Sequence, residues 1–333
     1  MRILVVGNGV IGLTTAHVLA SHGHETTIVA RRSHHATVSN RACAVWLPVF
    51  MGSNTTEEHE AMYQEWASDT FEILRMRTPA DGVLSMPLYR LGAESNPPPP
   101  VDAEAVNLSR VDIKSVPASI AHAWKLNSYA IDMPVYLSTL DREAQALGVR
   151  SHIGRAFTDM DDLLSSAQGY DVVVNCTGGG SRELARDRSV SGVKGVLVFG
   201  LPRPAALTGI LSHESFVLAP RLDTLALGAL YMEVFTSEQV EVSEVNELLE
   251  RHRAWPDAVL ELVGLRRRDL DDWHAVHAVA GLRPVREGGP RAAVENLHGQ
   301  TVIHNYGHGG AGVTLSWGCA EWVARQLEGL PNA

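Results

Sequence analysis

At 333 residues, 45% of them hydrophobic and 20% charged, the chain can bury a large core and predicts a globular protein of two domains. Its formal net charge of −10, with acidic and basic residues interspersed, offers no basic surface to a phosphate backbone and excludes nucleic acid as an expected partner. Cys43, Cys176 and Cys319 lie far apart without paired spacing, and no apolar run reaches the ~18 residues of a membrane span, so neither a disulfide framework, a metal site nor a membrane is expected and the location predicted is cytoplasmic.

The first predicted unit is β-α-β. A continuous apolar strand, Arg2–Val6, meets a glycine turn, a helix through Ala20 follows, and a second strand covers Glu25–Ala30. Further on, Asn96 precedes four prolines that predict a rigid surface connector. A second buried strand at 171–175 ends in Cys176-Thr177-Gly178-Gly179-Gly180. Short alternating runs at 196–200, 216–218 and 224–228 predict antiparallel strands. A third buried strand at 300–305 ends in Tyr306-Gly307-His308-Gly309-Gly310 and leads into an apolar helix at 313–327. Each buried strand ends in a turn that lets backbone approach a ligand, which places all three in one sheet. The fold class is therefore α/β. A Rossmann-type nucleotide-binding domain (1–50, 134–194 and 296–333) is interleaved with a β-rich, α+β substrate domain (51–133 and 195–295).

Chemistry concentrates at the turns. Gly7-Asn8-Gly9-Val10-Ile11-Gly12 is a G-x-G-x-x-G between strand and helix. Gly7 permits the tight turn, Gly9 admits a pyrophosphate to the helix N-terminus, and Gly12 lets helix pack on strand. The spacing alone does not separate FAD from NAD. The second strand ends in Val29-Ala30-Arg31-Arg32, without the acid that usually binds ribose hydroxyls, so an NADP-like reading stays open and Arg31 and Arg32 are candidates for the adenosine end. His304 and His308 stand four apart on a strand and a glycine loop, where that spacing does not assemble a metal site.

Four segments resemble the D-amino acid oxidase family: residues 5–15, Ala42-Cys43-Ala44-Val45-Trp46-Leu47-Pro48, Val173-Val174-Asn175-Cys176-Thr177-Gly178, and Gly281-Leu282-Arg283-Pro284-Val285-Arg286 with the run from His304 to Gly310 and Leu315-Ser316-Trp317-Gly318-Cys319. The resemblance spans the chain. It implies non-covalent FAD and oxidation of a D-amino acid to an imino acid by hydride transfer to flavin N5, with O2 reduced to H2O2. Arg283 then matches the arginine that clamps the substrate carboxylate, a task suited to a planar guanidinium. The Gly310 carbonyl matches the acceptor of the substrate amine, and Tyr231 an active-site tyrosine. Gly309, Gly310, Ala311, Gly312, Val313 and Thr314 match the loop along the flavin ring, Cys43, Ala44 and Val45 the stretch on its far side, Thr37 a position near the pyrophosphate, and Ala156, Thr177 and Gly178 further FAD contacts.

The departures concern substrate. A family tyrosine that helps hold the carboxylate is replaced here by Phe216 or Val217, and Ala311 replaces another in the flavin loop. Two alternatives therefore stay beside the D-amino acid oxidase. One is an oxidase or dehydrogenase of glycine, an N-methyl amino acid or a specialised-pathway amino acid, and the other is an inactive flavin-binding sensor. Assembly is left open, a homodimer included.

Overall fold

Ile3, Leu4, Val5 and Val6 are all buried, a pattern that fits a central parallel strand covered on both faces. A computed structural model of the chain describes residues 1–48, 55–214, 216–232, 237–270 and 277–330, with the side chains of 229–232 outside that set. The N-terminal unit is β1 (Arg2–Val6), α1 (Val10–Ser21) and β2 (Glu25–Ala30). The chain then runs through β3 (Ala44–Val45), α2 (Glu57–Arg75), β4 (Val83–Gly92), β5 (Ser109–Asp112), β6 (His122–Ile131), α3 (Met133–Ala146), β7 (Arg150–Ile153), α4 (Met160–Ser166) and β8 (Val172–Asn175). It continues as α5 (Ser181–Leu184), β9 (Val190–Pro202), β10 (Ile210–His213), β11 (Phe216–Pro220), β12 (Thr224–Met232), α6 (Val242–Arg253) and α7 (Asp257–Glu261). β13 (His277–Arg286), β14 (Arg291–Leu297), β15 (Gln300–Tyr306) and α8 (Gly312–Glu328) complete it.

Among the described residues, six strands form one sheet in the order β14-β15-β8-β1-β2-β7, and all of its pairs are parallel except β14 with β15. The three glycine-ended strands thus share one sheet, as their sequences predict. β14, from within the segment expected to belong to the substrate domain, closes its edge. A nine-stranded sheet, β13-β9-β12-β11-β10-β4-β6-β3 with β5 beside β6, carries the antiparallel runs predicted at 196–200, 216–218 and 224–228. β9 already begins at Val190.

Three apolar clusters hold the layers. The largest packs α1, α2, α3 and α8 on one face of the parallel sheet and reaches the inner face of the nine-stranded sheet through Leu88, Leu126 and Ala219. Leu163 and Leu184 cover the opposite face of the parallel sheet. Leu248, Val259 and Leu260 of α6 and α7 cover the outer face of the nine-stranded sheet. That leaves the inner face of the nine-stranded sheet turned toward the carboxyl ends of the parallel strands.

Candidate active site

The parallel strands β1, β2, β7, β8 and β15 all end at the same edge, where an open α/β sheet leaves its ligand crevice. At β1 the turn is built for close approach. Gly7 has φ +125°, and a Cβ there would lie 2.4 Å from the Cys176 carbonyl oxygen. A Cβ on Gly12 would fall 2.1 Å from the Gly7 oxygen, so α1 packs on β1 only through glycine. Val10 N–H donates to Ser39 Oγ at 3.1 Å, and a Cβ on Gly9 would approach the same hydroxyl at 3.0 Å. Ser39, one residue beyond Val38, thus brings a hydroxyl to the helix start. Ile11 is partly buried in the first turn of α1.

The other expected cofactor residues spread along this edge. Arg31 and Arg32 are exposed just beyond β2, and Ala156 is exposed just beyond β7. Thr37 Oγ1 donates to the His34 carbonyl at 2.7 Å within a local turn. Thr177 Oγ1 donates to Asn175 Oδ1 at 2.7 Å, and Gly178 follows at φ +57°. After β15, Gly309 at φ +55° and buried Ala311 lead into Gly312, which starts α8.

A cleft of about 1050 Å³, its open mouth included, joins this edge to the nine-stranded sheet. Cys43, Ala44, Val45, Gly310, Val313 and Thr314 line it from one side, and Gly195, Leu197, Val217, Gly228, Gly281 and Arg283 from the other. The segment before β3 is tied across the sheet: Arg41 Nη1 donates to Glu238 at 2.6 Å and to the Ala280 carbonyl at 3.0 Å, and Arg221 Nη2 donates to the Ala42 carbonyl at 3.0 Å. Burial pushes the Cys43 thiol up to about 11 against the opposing charges of Arg221 and Arg283, so Cys43 packs as a neutral group.

Arg283 lies on β13, where Gly281 pairs with Gly195 of β9. A Cβ on Gly195 would lie 1.7 Å from Arg283 Nη1 and 2.3 Å from its Cζ, so the guanidinium rests on the bare backbone of that glycine. A glycine inside a strand is the signal for such an approach, but only the β9–β13 register says what approaches. Tyr231 pairs with Gly195 from β12, and its side chain lies outside the described ones. Of the two replacements for the family tyrosine, Val217 lines the cleft. Phe216 packs on the opposite face of the sheet, edge-on to His252.

Behind the anchor strand sits a polar cluster. Asp187 Oδ2 accepts from Arg286 Nε and from the Tyr306 hydroxyl, both at 2.8 Å, and Arg291 Nη1 donates to Tyr306 at 2.8 Å. Burial opposes ionisation of Asp187, yet the hydrogen bonds from Arg286, Tyr306 and the Ser189 N–H overcome it and hold the carboxyl at about 2. A depressed carboxyl contributes stability above its unfolded value near 3.8 and loses it as the pH falls toward 2. Asp187→Asn is therefore expected to cost about 2 kcal/mol at pH 7. Urea unfolding from pH 7 to pH 3 checks this, the difference from the unmodified protein narrowing below pH 4. His304 bridges the cluster to β8, its ring nitrogens lying 3.3 Å from Asn175 Nδ2 and 3.2 Å from Glu295.

Residues 2–326 match the family model of FAD-dependent oxidoreductases. The chain belongs to this family. It is 33% identical over 332 residues to a D-amino-acid oxidase of Rubrobacter xylanophilus, an alignment covering 97% of this chain and 94% of that protein. With a D-amino-acid oxidase of Streptomyces coelicolor it shares 32% identity, covering 97% and 96%. Its fold matches a solved glycine oxidase of Geobacillus kaustophilus with a TM-score of 0.76 at 19% identity, covering 100% and 95%.

FAD is thus the cofactor of this oxidoreductase, and the NADP-like reading of the β2 end falls away. The residues present fit it. Gly7, Gly9 and Gly12 leave a cradle no side chain could share, the buried Asn8 Oδ1 has no hydrogen-bond partner among the described residues, and buried His308 has Nε2 in the same condition, with burial alone driving its pKa down to about 3. Both groups border the crevice edge. Arg90, Ser39 and Gly195 are site residues that sequence analysis did not single out.

Proposed function

We propose that this enzyme oxidises a D-amino acid to the corresponding imino acid and passes the electrons to O2. The observation that carries the reading is the position of Arg283, its guanidinium lying on the Gly195 backbone in the cleft that Gly310 and Val45 also line. A fork of guanidinium donors holds a carboxylate by two parallel hydrogen bonds, which fixes the substrate's Cα in two directions. The Gly310 carbonyl accepts from the substrate amine and orients it, so that in the neutral amine the lone pair can follow the departing hydride. When bound, FAD supplies the hydride acceptor at N5 and the route from there to O2 and hydrogen peroxide. Gly7, Gly9, Val10, Ile11, Gly12, Arg31, Arg32, Thr37, Ala156, Thr177 and Gly178 hold its nucleotide part, and Cys43, Ala44, Val45 and the 309–314 loop hold its ring.

No protein acid or base is assigned at Cα. The chain's work is position and dryness, with Leu197, Val217 and Val313 as apolar walls. Tyr231 is assigned a supporting hydroxyl at the carboxylate. A peroxide-coupled screen over D- and L-amino acids, glycine and sarcosine tests the reading. Turnover of D-amino acids above their L-enantiomers is the expected result, and peroxide from glycine or sarcosine alone would move the substrate to that class.

A further inference from the structure

The cleft contains two arginines besides the carboxylate anchor, Arg41 and Arg90. Arg90 stands on β4, in register with Ser212 of β10, and both line the cleft. Opposed residues of neighbouring strands share a face of a sheet. The register Arg90, Ser212, Val217, Gly228, Leu197 therefore forms one row across the inner face, and Gly195 lies two residues along β9 from its last member. Arg283 and Arg90 are thus at opposite ends of one continuous floor.

Arg41 and Arg90, which line the cleft together with Arg283, differ in their partners. Arg41 is bound to Glu238 and to the Ala280 carbonyl. Partly buried Arg90 has no hydrogen bond, ion pair or ring contact among the described residues, and burial alone, with no acid opposing it, lowers its pKa. Glu214 also lines the cleft, from the exposed β10–β11 hairpin tip, and forms no ion pair with it. A partly desolvated guanidinium with five donors and no acceptor is a cost that a bound anion removes.

We infer that Arg90 is a specificity-determining residue that receives an anionic group at the far end of the substrate side chain while Arg283 holds the α-carboxylate. This rests on the oxidase reading above and names its substrate class: D-amino acids with a terminal carboxylate on an extended side chain. Five strand intervals of ~4.8 Å each, ~24 Å of sheet before both arginines reach inward, separate β13 from β4. That span favours the longer spacer of 2-aminoadipate over that of aspartate.

The test uses the FAD-loaded enzyme with D-2-aminoadipate, D-norleucine and D-aspartate as probes, read by anaerobic flavin reduction and by perturbation of flavin absorbance on binding. The expected result is a preference of at least about tenfold in kcat/KM for D-2-aminoadipate over D-norleucine, the size of one charge-assisted contact. Arg90→Met should abolish that preference through KM, and Arg90→Lys should restore part of it. Arg283→Leu should weaken both substrates alike. The inference is overturned if the unmodified enzyme shows no preference, if Arg90→Met weakens both substrates equally, or if D-aspartate is the best of the three. Should none of the probes reduce the flavin, the oxidase reading fails. Binding then still decides Arg90: a D-2-aminoadipate perturbation lost in Arg90→Met upholds its role as an anion receptor, and an undiminished one removes it.

Discussion

Arg283→Leu is expected to raise the apparent constant for a D-amino acid at least tenfold while leaving FAD content intact. Removing one partner of a desolvated ionic hydrogen-bond pair costs ~2–5 kcal/mol, and ~1.4 kcal/mol is one decade. Around Arg283 the same cleft wall holds glycine at 195 and 281 and valine at 217. No phenol at 217 shares the load, so the loss falls mainly on Arg283, with the hydroxyl assigned to Tyr231 as its one support. Arg286 is the informative control, three residues along the same strand. Its Nε donates to Asp187 at 2.8 Å and its Nη1 to the carbonyls of Glu287 and Gly289, both at 3.2 Å, so it is committed to the fold. Arg286→Leu should lower the melting temperature and move the substrate constant by less than about threefold, as a residue outside the substrate contacts should. Stopped-flow flavin bleaching without oxygen, run against substrate concentration, separates the two. If Arg286→Leu raises the constant and Arg283→Leu does not, the wrong arginine carries the carboxylate.

What sequence revealed and what it concealed divides along the range of the interactions. β1, α1 and β2 were legible because an unbroken apolar run, a glycine turn and a helical period are written within thirty residues. β8, β15 and α8 carry the same local marks, and their observed bounds differ from the predicted ones by one residue at one end, or for α8 at both. Arg283 was legible because a run of rare residue types surrounds it. The choice between Phe216 and Val217 was not, because neighbouring strand residues face opposite ways and only pairing with β12, Val217 opposite Gly228, decides which enters the cleft. Nothing local in the sequence marks Arg90. Its inward placement depends on parallel pairing with β10, more than a hundred residues away. Ser39 was not legible for a related reason: the loop after β2 folds back on the start of α1, and only that fold brings its hydroxyl to the Val10 N–H.

Gly195→Ala is expected to impair substrate binding as severely as removing Arg283 itself, by tenfold or more in the apparent constant, since ~1.4 kcal/mol of lost contact makes a decade. The cause is steric. A methyl at 195 would occupy the volume of the Arg283 guanidinium, 1.7 Å from Nη1 and 2.4 Å from Nη2, and the flexible side chain must leave the glycine floor. The fold should survive. β9 is a regular strand here, Gly195 is not among the residues of positive φ, and replacing a strand glycine by alanine removes a backbone-entropy cost of roughly 0.5–1 kcal/mol. A variant at least as stable as the parent yet poor at binding is therefore the signature, and it differs from ordinary damage to a strand, which would lower both. Gly329→Ala supplies the control, since a methyl there meets no atom closer than 3.7 Å. Combining Gly195→Ala with Arg283→Leu should add little to either alone, because both act on one contact and such pairs are not additive. Melting temperature and anaerobic flavin reduction across the two single variants and the double variant decide the matter. If Gly195→Ala binds substrate within about twofold of the parent, or if the two losses multiply, then Arg283 does not hold the carboxylate from that glycine floor.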